Sequence, residues 1–244
     1  MTRPEPILDV DGLTAGYNVL PVIQDIALQV GRGEAVAVLG ANGAGKSTLL
    51  RAISGLIKPM RGAVTASGEP IAGLGAEAIV RKGLSHVAEG RRIFRRMTVA
   101  DNLRIGLASA RLSREERERR FEEQYDLFPM LKVKADELAG AMSGGQQQML
   151  AISQALIRNP QIVMLDEPST GLAPIMIEEV FDKLGTIRAK GVSILLVEQV
   201  VERTLRFVDY GYLIQGGQIR AEGTPAALNE SNAVHKAYLG ESPS

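Results

Sequence analysis

The chain has 244 residues, 28 Lys and Arg against 28 Asp and Glu, and no cysteine. Its length suffices for one large α/β domain with a small insert. The lack of cysteine excludes disulfides, zinc–thiolate sites, iron–sulfur clusters and a cysteine nucleophile. Because nucleic-acid-binding proteins normally carry an excess of Lys and Arg, the balanced charge argues against a nucleic-acid partner.

Apolar runs in the chain are short. The longest, Ala35–Leu39, has five residues, whereas a membrane-spanning helix needs about 20. The first ten residues contain two prolines and two acidic side chains and do not resemble a secretion signal. These features predict a cytoplasmic protein without a membrane-spanning helix.

Short alternating strands are predicted near both ends of the chain. They are separated by Gly and Asn turns, which is typical of antiparallel pairing. We expect them to form a smaller antiparallel sheet beside the main one. The segments are Ile7–Tyr17, Ile23–Val30, Gly62–Ala66 and Tyr212–Ala221.

Between these ends, apolar runs alternate with helical patterns. The runs are rich in branched residues and predict buried parallel strands. Alternation of this kind favours an α/β fold with a parallel sheet covered on both faces. The predicted strands are Ala35–Leu39, Ile162–Leu165 and Ile194–Val197, and the predicted helices are Ser47–Ser54, Gly145–Arg158 and Met176–Ala189.

A glycine-rich loop follows the first of these strands and opens a helix. It matches the pattern G-x-x-x-x-G-K-[ST], in which backbone N–H groups and the helix N-terminus surround phosphate oxygens. Lys46 is expected to reach the β- and γ-phosphates, and the Ser47 hydroxyl to bind Mg²⁺. We predict that the nucleotide is bound by Gly40, Ala41, Asn42, Gly43, Ala44, Gly45, Lys46, Ser47 and Thr48.

Residues 98–140 differ in composition from the rest of the chain. Within Leu112–Phe128, Arg and Glu recur four residues apart, as in Arg114 with Glu118 and Glu116 with Arg120. Each such pair stabilises a helix by roughly 0.2–0.5 kcal/mol. We interpret about 90–140 as a helical insert with a solvated, salt-bridged helix, whose glutamates cancel any positive field.

A second candidate anion site precedes another helix. Ser143 and Gln146 have the spacing of a capping box around Gly144 and Gly145. A capped helix N-terminus also attracts anions. Since one phosphate chain cannot reach two distant helix N-termini in one subunit, we infer that this segment serves a nucleotide held by another subunit.

Two carboxylates follow the predicted strand Ile162–Leu165. They lie at the carboxyl end of a parallel strand, which is the ligand edge of the sheet. Asp166 can hold Mg²⁺, and Glu167 can polarise the water that attacks the γ-phosphate. Many strands end in acidic residues, so this pattern is informative only together with the glycine-rich loop.

In this order, the three motifs resemble the ATP-binding subunits of ABC transporters over essentially the whole chain. The resemblance implies a P-loop NTPase core with a parallel sheet, a small antiparallel β subdomain and an inserted helical subdomain. We expect one domain, with the core at 1–88 and 142–244 and the helical subdomain at 89–141. ATP and Mg²⁺ are the implied cofactors.

The same resemblance implies partners and a location. They are a second ATPase subunit, identical or different, two integral membrane permeases and, indirectly, a substrate-binding protein, at the cytoplasmic face of the inner membrane. By family position Tyr17 would stack on adenine, although a tyrosine there is also compatible with simple packing.

Several residues depart from the family pattern. Glu89 replaces a glutamine and is expected to contribute to nucleotide and Mg²⁺ binding, Ala173 replaces an aspartate, and Gln199 replaces the switch histidine. An amide can donate to the γ-phosphate but cannot titrate near neutral pH. Because Glu167 is retained, we predict hydrolysis, with Glu167, Gln199 and Lys46 as catalytic residues.

The departures point to a narrower resemblance, to the shorter ATPase of the branched-chain amino acid importer. Alternatives are an importer of urea, amides or another amino acid, and a non-transport ABC regulatory ATPase. The segments that carry the resemblance are Glu89–Phe94, Met142–Ala151, Ser169–Pro174, Val197–Gln199 and Tyr238–Gly240.

The remaining polar candidates have simpler interpretations. His86 and His235 lack a Cys or His partner at metal-binding spacing, so we expect structural roles. A basic cluster beside Glu89 is either a solvated surface or a contact with a cytoplasmic helix of a membrane partner. The cluster comprises Arg91, Arg92, Arg95 and Arg96.

Overall fold

Two β-sheets organise residues 3–230, the part of the chain that the computed structural model describes. One sheet has four strands and the other has six. The strands are β1 Pro6–Tyr17, β2 Leu20–Gly31, β3 Ala35–Leu39, β4 Arg61–Ala66, β5 Glu69–Pro70, β6 Leu84–Val87, β7 Ile162–Asp166, β8 Ser193–Glu198, β9 Tyr210–Gln215 and β10 Gln218–Gly223.

Helices connect and cover these strands. The helices are α1 Lys46–Ile53, α2 Ala76–Arg81, α3 Val99–Gly106, α4 Arg114–Leu127, α5 Pro129–Val133, α6 Gly144–Leu156, α7 Pro174–Ala189, α8 Val201–Phe207 and α9 Pro225–Glu230. Helices α3, α4 and α5, followed by a short 3₁₀ helix at Ala139–Ala141, lie between β6 and α6.

The larger sheet has the strand order β10-β9-β3-β8-β7-β6, and only the β9–β10 pair is antiparallel. The smaller sheet, β2-β1-β4-β5, is antiparallel throughout. The α/β class and the three predicted parallel strands are therefore confirmed. Every residue of β3, β7 and β8 is buried, which is why these strands are continuous apolar runs.

The assignment of Tyr212–Ala221 to the smaller sheet is wrong. This segment forms the β9–β10 hairpin of the larger sheet, and β9 pairs in parallel with β3. The hairpin turn at Gly216 and Gly217 is a local signal, whereas the choice of sheet depends on burial of β9 beside β3. Strand β6 was missed because Ser85 and His86 interrupt its short apolar pattern.

Side chains on the two faces of the larger sheet pack into two separate hydrophobic cores. Along β3, Ala37 and Leu39 pack into one core with α6 and α7, and Val36 and Val38 pack into the other. The second core also contains Leu50 of α1 and the inner face of the smaller sheet. Alternation along each strand thus holds both layers against one sheet.

The charged segment forms α4, as predicted, with the expected pairs Arg114–Glu118 and Glu116–Arg120. Nearby, the buried Asn102 of α3 fixes the preceding loop by accepting from Phe94 N at 2.8 Å and donating to Phe94 O at 3.0 Å.

Within residues 3–230, no helix combines the length and apolar character that crossing a bilayer requires.

Replacement of Phe181 by alanine is expected to lower the free energy of unfolding by about 3–5 kcal/mol. Its ring is 1% exposed and packs edge-on against Phe207, with centroids 5.4 Å apart. Urea denaturation would measure the loss. Ile175→Ala in the same helix is the matched control, because Ile175 is 77% exposed and should change stability by no more than about 0.5 kcal/mol. Equal losses in both variants would contradict this packing.

Candidate active site

The loop between β3 and α1 is shaped by glycines. Gly43 and Gly45 have φ values of +78° and +106°, a region that side chains rarely adopt. A Cβ on Gly45 would also lie 2.6 Å from Ile23 Cγ2, and one on Gly40 would collide with the carbonyl oxygen of Ile214. Backbone conformation therefore requires glycine at positions 43 and 45, and close packing requires it at positions 40 and 45.

Lys46 carries its ammonium group inside this loop. The side chain is only 4% exposed, and Nζ donates to the carbonyl oxygens of Gly40 at 2.8 Å and Ala41 at 3.1 Å. Nζ also lies 3.3 Å from Oε1 of Glu167. This buried charge is compensated by carbonyl dipoles and a carboxylate, and it is placed where a phosphate chain would enter the loop.

Asp166 at the end of β7 and Ser47 in the first turn of α1 form a hydrogen-bonded pair of oxygen-bearing side chains. Ser47 Oγ donates to Asp166 Oδ1 at 3.0 Å. Asp166 is 2% exposed, and burial, reinforced by the charges of Glu89 and Glu167, raises its pKa to about 6. A buried carboxylate with so little compensation is suited to a cation.

The donor set fits Mg²⁺, which prefers hard oxygen ligands and keeps several waters or phosphate oxygens. Across residues 3–230, no cluster of three or more His, Cys, Asp or Glu side chains could enclose a metal by itself. An ion here would therefore be bound jointly by Ser47, Asp166, Glu89 and the phosphates of the nucleotide.

Glu167 has an unusual backbone and a well-held carboxylate. Its φ of +49° lies in the left-handed region, which is uncommon for a residue other than glycine. Oε2 accepts from Gln199 Nε2 at 2.6 Å and from Thr170 Oγ1 at 3.1 Å, while Oε1 faces Lys46. The carboxylate thus has a fixed direction, as a general base requires.

Glu198 is a functional candidate that the sequence interpretation missed. Its side chain is fully buried at the end of β8, and burial raises its pKa. Oε1 accepts from Ser169 N at 2.9 Å, and Oε2 accepts from Gln199 N at 3.2 Å. One carboxylate therefore joins the loop after Glu167 to Gln199. An acidic residue ending an otherwise apolar strand was the available signal.

These groups surround one cavity of about 750 Å³, within the range of ligand sites. Its walls come from the phosphate loop, the loop after β7 and the end of β8. The predicted residues that line it are Asn42, Gly43, Gly45, Lys46, Ser47, Thr48, Glu89, Glu167 and Gln199. Gly40 and Ala41 hold Lys46, and Asp166 holds Ser47. The peptide N–H of Ala44 donates to Ala41 O and its carbonyl accepts from Gly217 N.

The segment Ser143–Gln146 is not part of the wall of this cavity. Its capping box is confirmed: Gln146 N donates to Ser143 Oγ at 3.4 Å, and Ser143 N donates to Gln146 Oε1 at 3.1 Å. Neither Gly144 nor Gly145 belongs to the cavity wall among the described residues. The inference that this segment serves a nucleotide held by another subunit stays a prediction.

Two other candidates also lie off the cavity. Tyr17 is partly exposed, and its hydroxyl accepts from Arg51 at 2.8 Å, which lowers the pKa of the phenol. The Nδ1 atom of His86 lies 3.0 Å from Ser54 Oγ, and burial lowers the pKa of its imidazole to about 4. His86 is therefore neutral at pH 7, and His235 lies outside the described residues.

Comparison with known proteins decides the family. The ABC transporter family model matches residues 23–170. The chain belongs to the ABC transporter family. It is 40% identical over 234 residues to the high-affinity branched-chain amino acid transport ATP-binding protein BraG of Pseudomonas aeruginosa, covering 96% of this chain and all of that protein.

Other similar proteins include an ATP-binding protein of an export system and a solved ATP-binding cassette. The lipopolysaccharide export system ATP-binding protein LptB of Haemophilus influenzae is 32% identical, covering 96% of this chain and 98% of that protein. A nucleotide-free ATP-binding cassette from an ABC transporter superposes with a TM-score of 0.86 at 27% identity, covering 97% and 100% of the two chains. The ABC ATPase fold and ATP hydrolysis coupled to transport, both predicted from the motifs, are confirmed.

Glu167→Gln is expected to lower kcat for ATP hydrolysis by about 10²–10⁴, the usual contribution of a general base. ATP affinity should persist, because Lys46 and the loop amides are unchanged. Phosphate release and binding of a fluorescent ATP analogue measure the two properties. Lys46→Ala should show the opposite pattern, with loss of nucleotide binding. Undiminished hydrolysis by the Glu167 variant would contradict its assignment as base.

Asp166→Asn is expected to stabilise the Mg²⁺-free protein at pH 7.5 by ~1–3 kcal/mol. Because the folded-state pKa is raised, the folded protein binds this proton more tightly than the unfolded chain, and stability falls as pH rises from about 4 to about 6. Asparagine removes that penalty and still accepts from Ser47. Denaturation in EDTA across this pH range tests the effect, with the exposed Asp11→Asn as the matched control. A destabilised Asp166 variant at pH 7.5 would contradict it.

Proposed function

We propose that this chain is the ATPase that powers import of branched-chain, hydrophobic amino acids through a membrane ABC transporter. The observation that carries the proposal is the 40% identity to BraG over the whole of that protein. The lipopolysaccharide export ATPase, matched over a similar length, reaches 32%. The segments Glu89–Phe94 and Val197–Gln199, which depart from the general ABC pattern, point the same way.

The site residues have distinct roles in this proposal. The phosphate loop and Lys46 bind the triphosphate, and Tyr17 lies beside the adenine. Glu167 orients and deprotonates the attacking water, and Gln199 holds Glu167 and donates to the γ-phosphate. Mg²⁺, held by Ser47, Asp166 and Glu89, would neutralise charge that develops on the phosphates.

A second copy of such a subunit completes the site. The segment Ser143, Gly144, Gly145 and Gln146 binds the nucleotide held by its partner, either this chain or a different ATPase. Gly144 and Gly145 do not belong to the wall of their own subunit's cavity among the described residues, and this supports that arrangement.

The domain organisation follows from the same proposal. Residues 1–88 and 142–244 form the core, and 89–141 form the helical subdomain. Support comes from the close connections at both ends of the helical segment: Thr98 and Leu138 form a β-bridge, and Gly140 N donates to Arg95 O at 2.9 Å. The inserted chain thus leaves and re-enters the core at adjacent points.

The permease partner would bind between the core and this helical segment. A groove of about 420 Å³ is lined by residues of both parts, with His86, Gln154 and Arg158 from the core and Arg92 and Ile105 from the helical segment. The exposed Arg95 and Arg96 extend the basic surface beside it. We place the subunit at the cytoplasmic face of the inner membrane, with a substrate-binding protein acting on the far side of the permeases.

Purification of the tagged chain from its native membranes in mild detergent tests this proposal. A second ATPase and two multi-span permeases should co-purify, and vesicles containing that complex should accumulate labelled leucine when ATP is supplied. Glu167→Gln should co-purify with the same partners and fail to transport, whereas Arg111→Ala, an exposed change, should transport normally.

Other outcomes would redirect the assignment. Uptake of urea or an amide instead of leucine would replace the substrate and retain the importer. Recovery with lipopolysaccharide export components would favour the relationship to LptB. Recovery without any membrane partner, or with ribosomes, would contradict the transport proposal and leave the ATPase chemistry intact.

A further inference from the structure

Arg91 lies where three functional segments meet. It belongs to the loop that begins at Glu89, and its φ of +49° places it in the left-handed region. Its Nη2 atom donates to the carbonyl oxygens of Thr170 at 3.0 Å and Gly171 at 3.1 Å, in the loop after Glu167. On its other side, a Cβ built on Gly144 would lie 2.7 Å from Nη1, so the guanidinium also packs against the start of α6.

Thr170 connects this contact to the proposed general base. Its hydroxyl donates to Glu167 Oε2 at 3.1 Å, and its backbone N–H donates to the Glu167 carbonyl at 3.1 Å. Arg91 therefore binds the carbonyl oxygen of Thr170, and Thr170 in turn binds Glu167 through its N–H and its hydroxyl. The direction of the carboxylate depends on where the Thr170 backbone is fixed.

Local stability does not account for this placement. A guanidinium beside a helix N-terminus opposes the helix dipole, and a non-glycine residue in the left-handed region is strained. The loop that it holds is exposed at Thr170 and Gly171, so water would otherwise satisfy both carbonyls. Strain that persists at such a point indicates a functional constraint.

We propose that Arg91 is a positioning residue for ATP hydrolysis, which fixes the loop after Glu167 against the N-terminal end of α6 and thereby orients the Glu167 carboxylate through Thr170. The basic cluster around Arg91 thus contains one member that acts within the subunit, toward the site. The inference rests on the proposed role of Glu167 and is independent of which substrate is transported.

Steady-state ATPase kinetics of the full chain test this role. Arg91→Ala should lower kcat by about 10- to 100-fold, the scale on which a misplaced catalytic group loses rate. The KM for ATP should change by less than about twofold, because Arg91 does not line the nucleotide cavity. Arg91→Lys, which keeps the charge and N–H donors, should recover part of kcat. Arg111→Ala, an exposed arginine, is the matched control and should behave as wild type.

A double-mutant cycle separates positioning from a general structural effect. Thr170→Val removes the hydroxyl that donates to Glu167 while keeping the backbone carbonyl that Arg91 binds. If Arg91 acts through Thr170, the double variant should lose much less than the product of the two single losses. Independent, multiplicative losses would overturn the proposal, as would wild-type kcat in Arg91→Ala.

Two controls keep the result interpretable. Thermal denaturation should show that the variants are folded, and Arg91→Gln replaces Arg91→Ala with the same expectation if the alanine variant does not fold. Glu167→Gln distinguishes the two hypotheses: an active Glu167 variant would refute the role of the base, whereas an inactive Glu167 variant beside a fully active Arg91→Ala would refute the role of Arg91 alone.

Discussion

The parallel alignment of β3, β8 and β7 is the constraint on which the rest of the site depends. Leu39 pairs with Glu198, and Asp166 pairs with Val197, so all three strands end at one edge of the sheet. The phosphate loop, Gln199 and the Asp166–Glu167 pair leave the sheet at this edge. Shifting one strand by a single residue would turn its side chains to the opposite face and separate Ser47 from Asp166.

This alignment concentrates charge where water is scarce. Lys46, Asp166 and Glu198 are each less than one-tenth exposed, and buried charges are costly unless they are paired or hydrogen-bonded. Lys46 is compensated by carbonyl oxygens, and Glu198 by two backbone N–H groups. Asp166 accepts a hydrogen bond from Ser47 and its charge is the least compensated of the three, as expected of a carboxylate that binds a cation.

The sequence predicts what is local and leaves open what depends on tertiary contact. The phosphate loop and the Asp166–Glu167 pair were predictable because the chemistry lies in contiguous residues beside a recognisable strand. The sheet to which β9 belongs was not predictable, because a hairpin signal in the sequence does not say which other strand will pair with the hairpin. Glu198 and Arg91 also escaped prediction as site residues, because their roles come from backbone atoms of Ser169 and Gly171, which carry no side-chain signature.

Gln199 shows how a departure from the family pattern can alter the behaviour of the site. Its amide donates to Glu167 Oε2 at 2.6 Å, so it performs the holding function without a titratable group. A histidine there would bring its own protonation equilibrium near neutral pH. In this chain burial raises the pKa values of two acids at the same edge of the sheet, Asp166 at the end of β7 and Glu198 at the end of β8. The groups with raised pKa values at this edge of the sheet are therefore carboxylates, and residue 199 contributes hydrogen bonds without a proton equilibrium of its own.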